Sequence, residues 1–278
     1  MKNDRSKVSV LIGVIAILLI VASAILLIMS MLDGRDTPKG PQDPGITTST
    51  GDSKGPDAED PNGNNDQKED VSHYIEEVYS KQIERYYTPL CEQWDVSAYF
   101  DNGLSMIASS YYTGNPLENV GYSLVDLDND GSLELVIGAI LNAEKDPSVF
   151  EIWTLVNGKP VMLAQGGSDN RYILQYVEEE RSWYVANEAS ITMASHATYY
   201  MKLDKGELKV VQGIVFDAFF NEEKPWFLSH DLDGDASNDT PISEADAEEI
   251  LDSNRKLYKA PEYFPYTQYQ PKGDSLLK

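Results

Sequence analysis

Two tight turns in the middle of the chain limit its fold more than any other feature. Asn157-Gly158 separates FEIWTL from VMLA, and Asp204-Lys205-Gly206 separates two runs in which apolar and polar residues alternate. Asn-Gly is a strong hairpin signal, because both residues accept positive φ, and alternation with period two is typical of strands. Hairpins that follow one another without intervening helices predict an antiparallel β-meander rather than a parallel nucleotide-binding sheet. The predicted strands span 121–126, 134–141, 148–156, 160–165, 171–177, 182–187, 196–204, 207–212 and 214–219.

A pair of helices is predicted ahead of the sheet. Residues 71–87 place apolar side chains at helical spacing, and we expect Pro89 to end this helix because proline cannot donate a backbone hydrogen bond. A second helix is predicted over 98–112. Tyrosines are frequent in both, and we interpret them as half-buried helix faces rather than as an aromatic binding box. The apolar positions of the first helix are Ile75, Val78, Tyr79, Ile83 and Tyr86.

The chain returns to helix near its C-terminal end. Ser243 is a good N-cap, Asp246 follows at capping-box spacing, and the predicted helix runs over 243–257. The last segment, 260–278, has three prolines and no periodicity, so we expect it to be extended or loosely packed. The fold class that follows is α+β: a helical pair, an antiparallel β-meander and a closing C-terminal helix.

A transmembrane helix is predicted over residues 8–32. This run of 25 residues carries no charge, and about 20 apolar residues suffice to cross a bilayer as a helix. Ala22-Ser23-Ala24 resembles a signal-peptidase site, but the apolar run continues well beyond it and exceeds the ~7–15 residues of a secretory signal. We therefore expect an uncleaved single-pass anchor.

The basic residues before this run set its orientation. Residues 1–7 contain Lys2, Arg5 and Lys7, whereas the segment after the helix has balanced charge. The positive-inside rule places 1–7 in the cytoplasm as a short tail and everything after the helix outside the plasma membrane.

Residues 33–70 are predicted to be a disordered acidic linker. They are rich in Gly, Pro, Asp and Asn, and Ile46 is their only large apolar residue. Such a segment cannot bury enough apolar surface to offset its ordering entropy. The composition changes at Val71, so 71–278 is predicted to be the extracellular α+β domain.

The charge and the cysteine count exclude several classes of function. The formal net charge is −24 at pH 7, and such an acidic chain repels phosphate backbones, so we expect no nucleic-acid partner. Cys91 is the only cysteine. An intrachain disulfide and a cysteine metal cluster are therefore impossible, and Cys91 is expected to be a buried packing residue.

The stretch GYSLVDLDNDGSLELVIGA, residues 121–139, predicts a calcium site. Asp126, Asp128 and Asp130 occupy loop positions 1, 3 and 5, Ser132 at position 7 offers its backbone carbonyl, and Glu134 lies at position 9. Alternating carboxylates around a turn glycine, Gly131, give the all-oxygen ligand set that Ca²⁺ prefers. Position 12 is Ile137 instead of glutamate, and the flanks read as strands, so the loop is not an EF-hand. Without an ion these carboxylates would repel one another.

This stretch resembles the calcium loop of FG-GAP and VCBS repeats, in which two strands flank a DxDxDGxxD/E loop. The match is a single copy of about twenty residues, and it implies a calcium-loop hairpin, not a propeller. More broadly, this loop, the two hairpins and the late helix are similar to membrane-anchored surface proteins of Gram-positive gut bacteria that have no assigned activity. That resemblance implies location and fold, and it implies no reaction.

A second acidic run, HDLDGDASNDTPISE, is a weaker match. Asp231, Asp233, Asp235 and Asp239 lie at positions 1, 3, 5 and 9, but Ala236 replaces the turn glycine. A solvated loop leading into the C-terminal helix is favoured over a second calcium site.

No motif points to catalysis. The histidines are His73, His196 and His230, and the chain has no nucleophile elbow, HExxH, P-loop or dinucleotide fingerprint. The favoured hypothesis is a calcium-stabilised, membrane-anchored domain that binds an unknown extracellular ligand or supports the envelope. The alternative is a surface hydrolase acting on glycan or peptidoglycan, which would require a deep pocket lined by two carboxylates with perturbed pKa values.

Overall fold

The structure is a computed structural model that describes residues 71–271. The predictions for the tail 1–7, the transmembrane helix 8–32 and the linker 33–70 lie outside the described residues. Between residues 71 and 271, each helix is too short or too polar to cross a membrane. The α-helices are α1 (Ser80–Glu92), α2 (Val96–Asp101), α3 (Pro116–Asn119) and α4 (Glu244–Arg255); a π-helical turn spans Tyr74–Val78, and 3₁₀ turns span Met106–Tyr111, Ala236–Asn238 and Tyr266–Gln268.

Eleven strands within residues 71–271 form one antiparallel sheet, which confirms the predicted α+β class and the meander. The strands are β1 (Val120–Val125), β2 (Glu134–Ala139), β3 (Val149–Val156), β4 (Lys159–Gln165), β5 (Asn170–Val177), β6 (Ser182–Thr192), β7 (Ser195–Asp204), β8 (Glu207–Asp217), β9 (Trp226–Ser229), β10 (Thr240–Pro241) and β11 (Phe264–Pro265). Their order in the sheet is β10-β9-β8-β7-β6-β5-β3-β2-β1-β11, and β4 pairs with β3 beside this path.

Strand β3 joins the two halves of the sheet. On one side it pairs with β2, and on the other it pairs first with β5, at Val149, and then with β4, from Glu151 to Val156. The two faces are therefore covered differently along the sheet. Helix α1 and the turns after it pack on one face of β1–β3 through Tyr86, Ile137 and Phe150. The opposite face of these strands belongs to a second core, which also contains residues of β5–β9.

Helix α4 covers the other face of the C-terminal strands. Ala247 and Leu251 pack against Ile214 of β8, and Ile250 packs against Tyr200 of β7. The predicted N-cap is confirmed: the Ser243 hydroxyl accepts from the N–H of Asp246 at 3.1 Å, and the Asp246 carboxylate accepts in return. Both bonds satisfy orphan donors at the start of the helix.

The helical pair differs from its prediction. Helix α1 does not end at Pro89 but continues to Glu92, with Pro89 buried inside it. The helix ends where Gln93 takes a left-handed conformation at φ 53° and the N–H of Trp94 bonds to the carbonyl of Pro89. The predicted second helix is broken by Gly103 at φ 63°, which separates α2 from a 3₁₀ turn.

Three further expectations need correction. The described part of the C-terminal segment, 260–271, is extended at β11, as expected, but it is not loosely packed, since β11 pairs with β1 and Tyr266 is fully buried with its hydroxyl donating to the carbonyl of Ile83. Cys91 is exposed rather than buried. The two strands predicted over 207–219 form one strand, because Gly213 does not interrupt pairing.

Candidate metal-binding loop

The acidic loop connects β1 to β2 and is shaped by its own backbone. Val125 pairs with Glu134 at the ends of the two strands. Asn129 at φ 60° and Gly131 at φ 88° adopt left-handed conformations, which turn the chain back on itself. Asn tolerates this region through local side-chain hydrogen bonding, and Gly does so because it lacks Cβ. The sharp turn predicted at Gly131 is thus present.

The loop carboxylates accept hydrogen bonds from the loop amides. Asp126 accepts from the N–H of Asp130 at 3.2 Å and from the N–H of Gly131 at 3.1 Å. Asp128 accepts from Asp130 at 3.3 Å, and Asp130 accepts from the N–H of Ser132 at 2.7 Å. These bonds direct successive side chains toward the inside of the turn. Ser132 contacts one of the three aspartates, Asp130, through this amide.

The loop brings three of the predicted ligands together. One carboxylate oxygen from each of Asp126, Asp128 and Asp130 lies within 4.8 Å of the others. Burial raises the pKa of Asp128, and the charges of Asp130 and Asp126 raise it further. Among residues 71–271, no Lys or Arg forms an ion pair with these three side chains. The group is an oxygen-only donor set with uncompensated negative charge, which fits Ca²⁺.

The carboxylate of Glu134 lies outside this group. It is 1 % exposed, and its two oxygens accept from the N–H of Leu127 and from the hydroxyl of Thr154, both at 2.9 Å. Burial raises the pKa of Glu134 to about 7, while the hydrogen bonds from Leu127 and Thr154 oppose the shift. In this arrangement Glu134 ties the loop backbone to β3.

Two buried residues hold the loop against the core. Leu127, between the first two aspartates, is 1 % exposed and belongs to the core on one face of the sheet. Tyr79 precedes α1 and belongs to the core on the other face of the sheet. Its hydroxyl donates to the carbonyl of Leu133 at 3.0 Å. The sequence offered no signal for this contact or for Thr154, because each partner is distant along the chain.

The second acidic loop, between β9 and β10, is only partly solvated. Asp231, Asp233 and Asp235 are exposed, and each accepts a hydrogen bond from the amide two residues later. Asp239 differs, because its Oδ2 is buried and accepts no hydrogen bond within the described residues. The expectation of a solvated loop therefore fits the first three aspartates and not the fourth.

The clefts of residues 71–271 give the hydrolase alternative no support. The acids with raised pKa values, Asp128, Glu134 and Asp239, line none of four clefts of about 380–750 Å³. One of these clefts, of about 610 Å³, is lined by Glu207 and Asp233. Hydrogen bonding and ion pairing with Lys209 lower the pKa of Glu207, which favours an ionised group rather than a general acid.

Comparisons with protein-family models, with curated proteins and with solved structures give no match for this chain.

Proposed function

We propose that this protein is a membrane-tethered binding domain outside the cell, stabilised by a Ca²⁺ ion in the loop between β1 and β2. The tether is the uncharged apolar run 8–32, and the acidic segment 33–70 separates it from the folded part. The ion has a structural role: it holds the hairpin that connects the helical layer to the rest of the sheet.

The convergence of Asp126, Asp128 and Asp130 is the observation that carries the calcium proposal. Three carboxylate oxygens within 4.8 Å of one another suit a cation that takes oxygen ligands at about 2.3–2.6 Å. The loop is fixed at both ends by paired strands and near its start by buried Leu127, so little ordering entropy remains to be lost on binding. None of the three lines a cleft of about 380–750 Å³ among the described residues, which favours a stabilising role over a catalytic one.

The exposed apolar side chains of the far end of the sheet support a binding role. Met193, at the β6–β7 turn, is 91 % exposed, and Phe219, in the β8–β9 loop, is 74 % exposed. The N–H of Ala218 donates to the carbonyl of Ala194, so the two loops lie side by side. Apolar groups exposed together at one end of a domain are typical of interaction surfaces.

Thermal unfolding of the full-length protein in detergent tests the calcium part. For a dissociation constant of ~10⁻³ M, 10 mM Ca²⁺ adds about 1.4 kcal/mol of stability, or roughly 3–6 °C in Tm for a domain of this size. Asp128→Asn should remove this shift, whereas Asp204→Asn, which removes an exposed turn carboxylate elsewhere, should keep it. A Tm that does not respond to Ca²⁺ would reject the proposal.

The exposed Cys91 allows a direct test of location. A membrane-impermeant maleimide should label the protein on intact cells, because Cys91 lies in the part proposed to be outside. A Ser6→Cys, Cys91→Ala variant carries its only thiol in the N-terminal tail and should be labelled only after permeabilisation. The opposite pattern would reverse the proposed orientation.

A further inference from the structure

We propose that the cleft of about 610 Å³ binds an amphiphilic amine, that is, an apolar ligand that carries a positively charged ammonium group. The ammonium lies against the floor of the cleft, at Asn187 and Tyr172, and the apolar part lies against the walls. This inference names a ligand class for the binding role proposed above and rests on that role, but it does not depend on the calcium ion.

The floor of the cleft contains a row of polar side chains across three strands. Tyr172 of β5 pairs with Asn187 of β6, which pairs with Tyr199 of β7. Residues that pair directly across an antiparallel sheet place their side chains on the same face. All three line the cleft. The row therefore lies on the face away from α4, which packs on Tyr200 of β7.

Two segments rise beside this face and form the walls. The turn between β3 and β4 reaches the turn between β7 and β8, since a Cβ at Gly206 would lie 2.6 Å from Cγ2 of Val156. The loop between β9 and β10 meets the end of β6, where a Cβ at Gly234 would lie 3.5 Å from Cδ1 of Ile191. The volume enclosed is within the usual range of small-molecule sites, about 300–1,000 Å³.

Asn187 is buried in the floor with an incomplete set of hydrogen bonds. It is 5 % exposed, and its Nδ2 donates to the carbonyl of Arg171 at a long 3.4 Å. Within residues 71–271 its Oδ1 accepts no hydrogen bond. Buried side-chain amides are nearly always paired. A ligand that donates to Oδ1 would complete this pairing.

The Tyr172 hydroxyl provides a second acceptor beside Asn187. Tyr172 is half-buried, and within the described part of the chain its hydroxyl has no hydrogen-bond partner. An ammonium group has three donors and no acceptor. It can therefore donate to Oδ1 of Asn187 and to the Tyr172 hydroxyl at the same time.

The walls and the edges of the floor provide apolar contacts for the rest of the ligand. Two of these side chains are methionines, which adapt their shape to irregular neighbours. A small hydrophilic amine would leave this surface uncovered, so the ligand needs an apolar part. The apolar side chains are Met162, Leu163, Ile191, Met201, Leu208 and Leu232.

The charges around the cleft favour a cation over an anion. Glu207 and Asp233 line its walls, and among the described residues no Lys, Arg or His does so. Lys209 pairs with Glu207, whereas Asp233 has no ion pair within residues 71–271. Charges of one sign around a cleft attract ligands of the opposite sign. Carboxylates and phosphates are thus disfavoured, in a chain of net charge −24.

Methyl NMR of the full-length protein in detergent, with methyl-labelled methionine, tests the proposal. Met162 and Met201 line the cleft, whereas Met106 packs against the other core. Phenylbutylamine should shift the signals of Met162 and Met201 and leave that of Met106 in place. A ligand that shifts none of these signals, or all three equally, would overturn the site.

Two analogues with the same apolar part test the role of the charge. Phenylbutanol should bind at least severalfold more weakly than phenylbutylamine at pH 7, and phenylbutyrate should not shift the methionine signals. Equal affinities for the amine and the alcohol, or tighter binding of the acid, would overturn the ligand class.

Variants of the floor test the ammonium contact with one ligand, which removes the effect of partition into detergent. Asn187→Leu, which removes the amide, should weaken binding of phenylbutylamine about tenfold. Tyr172→Phe should weaken it severalfold without lowering the Tm, because the hydroxyl has no partner in the protein, so it remains informative if Asn187→Leu fails to fold. Tyr184→Phe removes an exposed hydroxyl outside the cleft and should bind as the wild type does. Wild-type affinity in Tyr172→Phe would contradict the proposal.

A pair of aspartates in one loop tests the wall. Asp233→Asn should weaken binding of the amine and not of the alcohol. Asp235 lies outside the cleft and caps the 3₁₀ turn Ala236–Asn238. Asparagine is also a good cap, so Asp235→Asn should bind the amine nearly as the wild type does. Equal losses in the two variants would contradict the part assigned to Asp233.

The ligand class and the proposed function can fail separately. If phenylbutylamine shifts no methionine signal while Ca²⁺ still raises the Tm, the amine site is overturned and the calcium-stabilised domain stands. If the amine binds and the Tm does not respond to Ca²⁺, the amine site stands and the calcium part fails.

Discussion

The N–H of Leu127 donates to Oε2 of Glu134 at 2.9 Å, which closes the acidic loop onto the first residue of β2. Leu127 is itself buried, so the amide and its side chain fix the loop at one point between the first two aspartates. Oε1 of the same carboxylate accepts from Thr154 of β3. The turn that gathers the three aspartates is therefore tied to two strands before any ion binds.

Thr154→Val should destabilise the protein. The substitution keeps the shape of the side chain but removes the hydroxyl that donates to Oε1 of buried Glu134. Leaving a buried acceptor unpaired costs about 1–3 kcal/mol. Urea unfolding should show this loss in the free energy of unfolding, whereas Thr154→Ser, which keeps a donor, should retain most of the stability. A loss confined to Thr154→Ser would show that the methyl group, not the hydroxyl, matters.

Tyr86→Phe should destabilise the protein by a similar mechanism. The Tyr86 hydroxyl donates to Oε1 of Glu151 at 2.9 Å and accepts from the N–H of Ser105 at 3.0 Å, and Glu151 is fully buried. Its removal leaves two buried polar groups short of a partner, which costs roughly 1–3 kcal/mol.

Tyr184→Phe is the matched control for that measurement. The Tyr184 hydroxyl donates to Glu180 at an exposed position, where water replaces the lost bond. Chemical denaturation should therefore show a loss for Tyr86→Phe and almost none for Tyr184→Phe. A neutral Tyr86→Phe would contradict the structural importance of the Glu151 network.

Gly213→Ala should also be costly. The new Cβ would lie 2.7 Å from Cδ1 of Tyr199, and the ring is confined in the core. Overpacking of this kind costs typically 1–3 kcal/mol. Gly167→Ala is the control, because nothing lies within 4 Å of its added Cβ. If thermal unfolding gives the same Tm for both variants, the ring is not held where the structure places it.

Stability should depend on pH through His196. Its ring stacks on Phe216 at 4.8 Å and meets the edge of Trp226 at 5.8 Å. The residue keeps an exposed edge, and the partial burial of its ring lowers the pKa of His196. The unfolded chain, with a histidine pKa of about 6.5, then binds the proton more tightly than the folded protein. Stability contributed by neutral His196 is present above pH ~6.5 and is lost as pH falls through the folded pKa.

Proton NMR provides the measurement for His196. The imidazole of His196 should titrate with a midpoint below ~6.5, and His196→Gln should flatten the pH dependence of Tm in this range. A midpoint at or above that of an unstructured histidine peptide would contradict the effect of burial.

The sheet could be predicted from the sequence because the residues that specify each strand and each turn are neighbours along the chain. Alternation and the Asn157-Gly158 turn specify strands and hairpins within a few residues. The acidic loop was recognisable for the same reason, since Asp126, Asp128 and Asp130 are spaced within five residues. Gly213 misled the prediction, because a glycine inside a strand reads as a break, whereas here it makes room for Tyr199.

The features that sequence did not predict depend on distant partners. The C-terminal segment has no periodicity, yet Tyr266 is buried, and its hydroxyl donates to the carbonyl of Ile83, 183 residues earlier. Glu134 also depends on a distant partner. Its loop position predicted a calcium ligand, but its two carboxylate oxygens accept from the N–H of Leu127 and from the hydroxyl of Thr154 on β3.

Hydrogen exchange read by mass spectrometry tests most directly whether calcium stabilises the hairpin of β1 and β2. In the full-length protein, Ca²⁺ should slow exchange in peptides covering 120–139, where the amides of Asp130, Gly131 and Ser132 donate to the aspartate carboxylates. Asp128→Asn should lose this protection and Asp204→Asn should keep it. Identical exchange of 120–139 with and without Ca²⁺ in the wild type would contradict a calcium-stabilised hairpin.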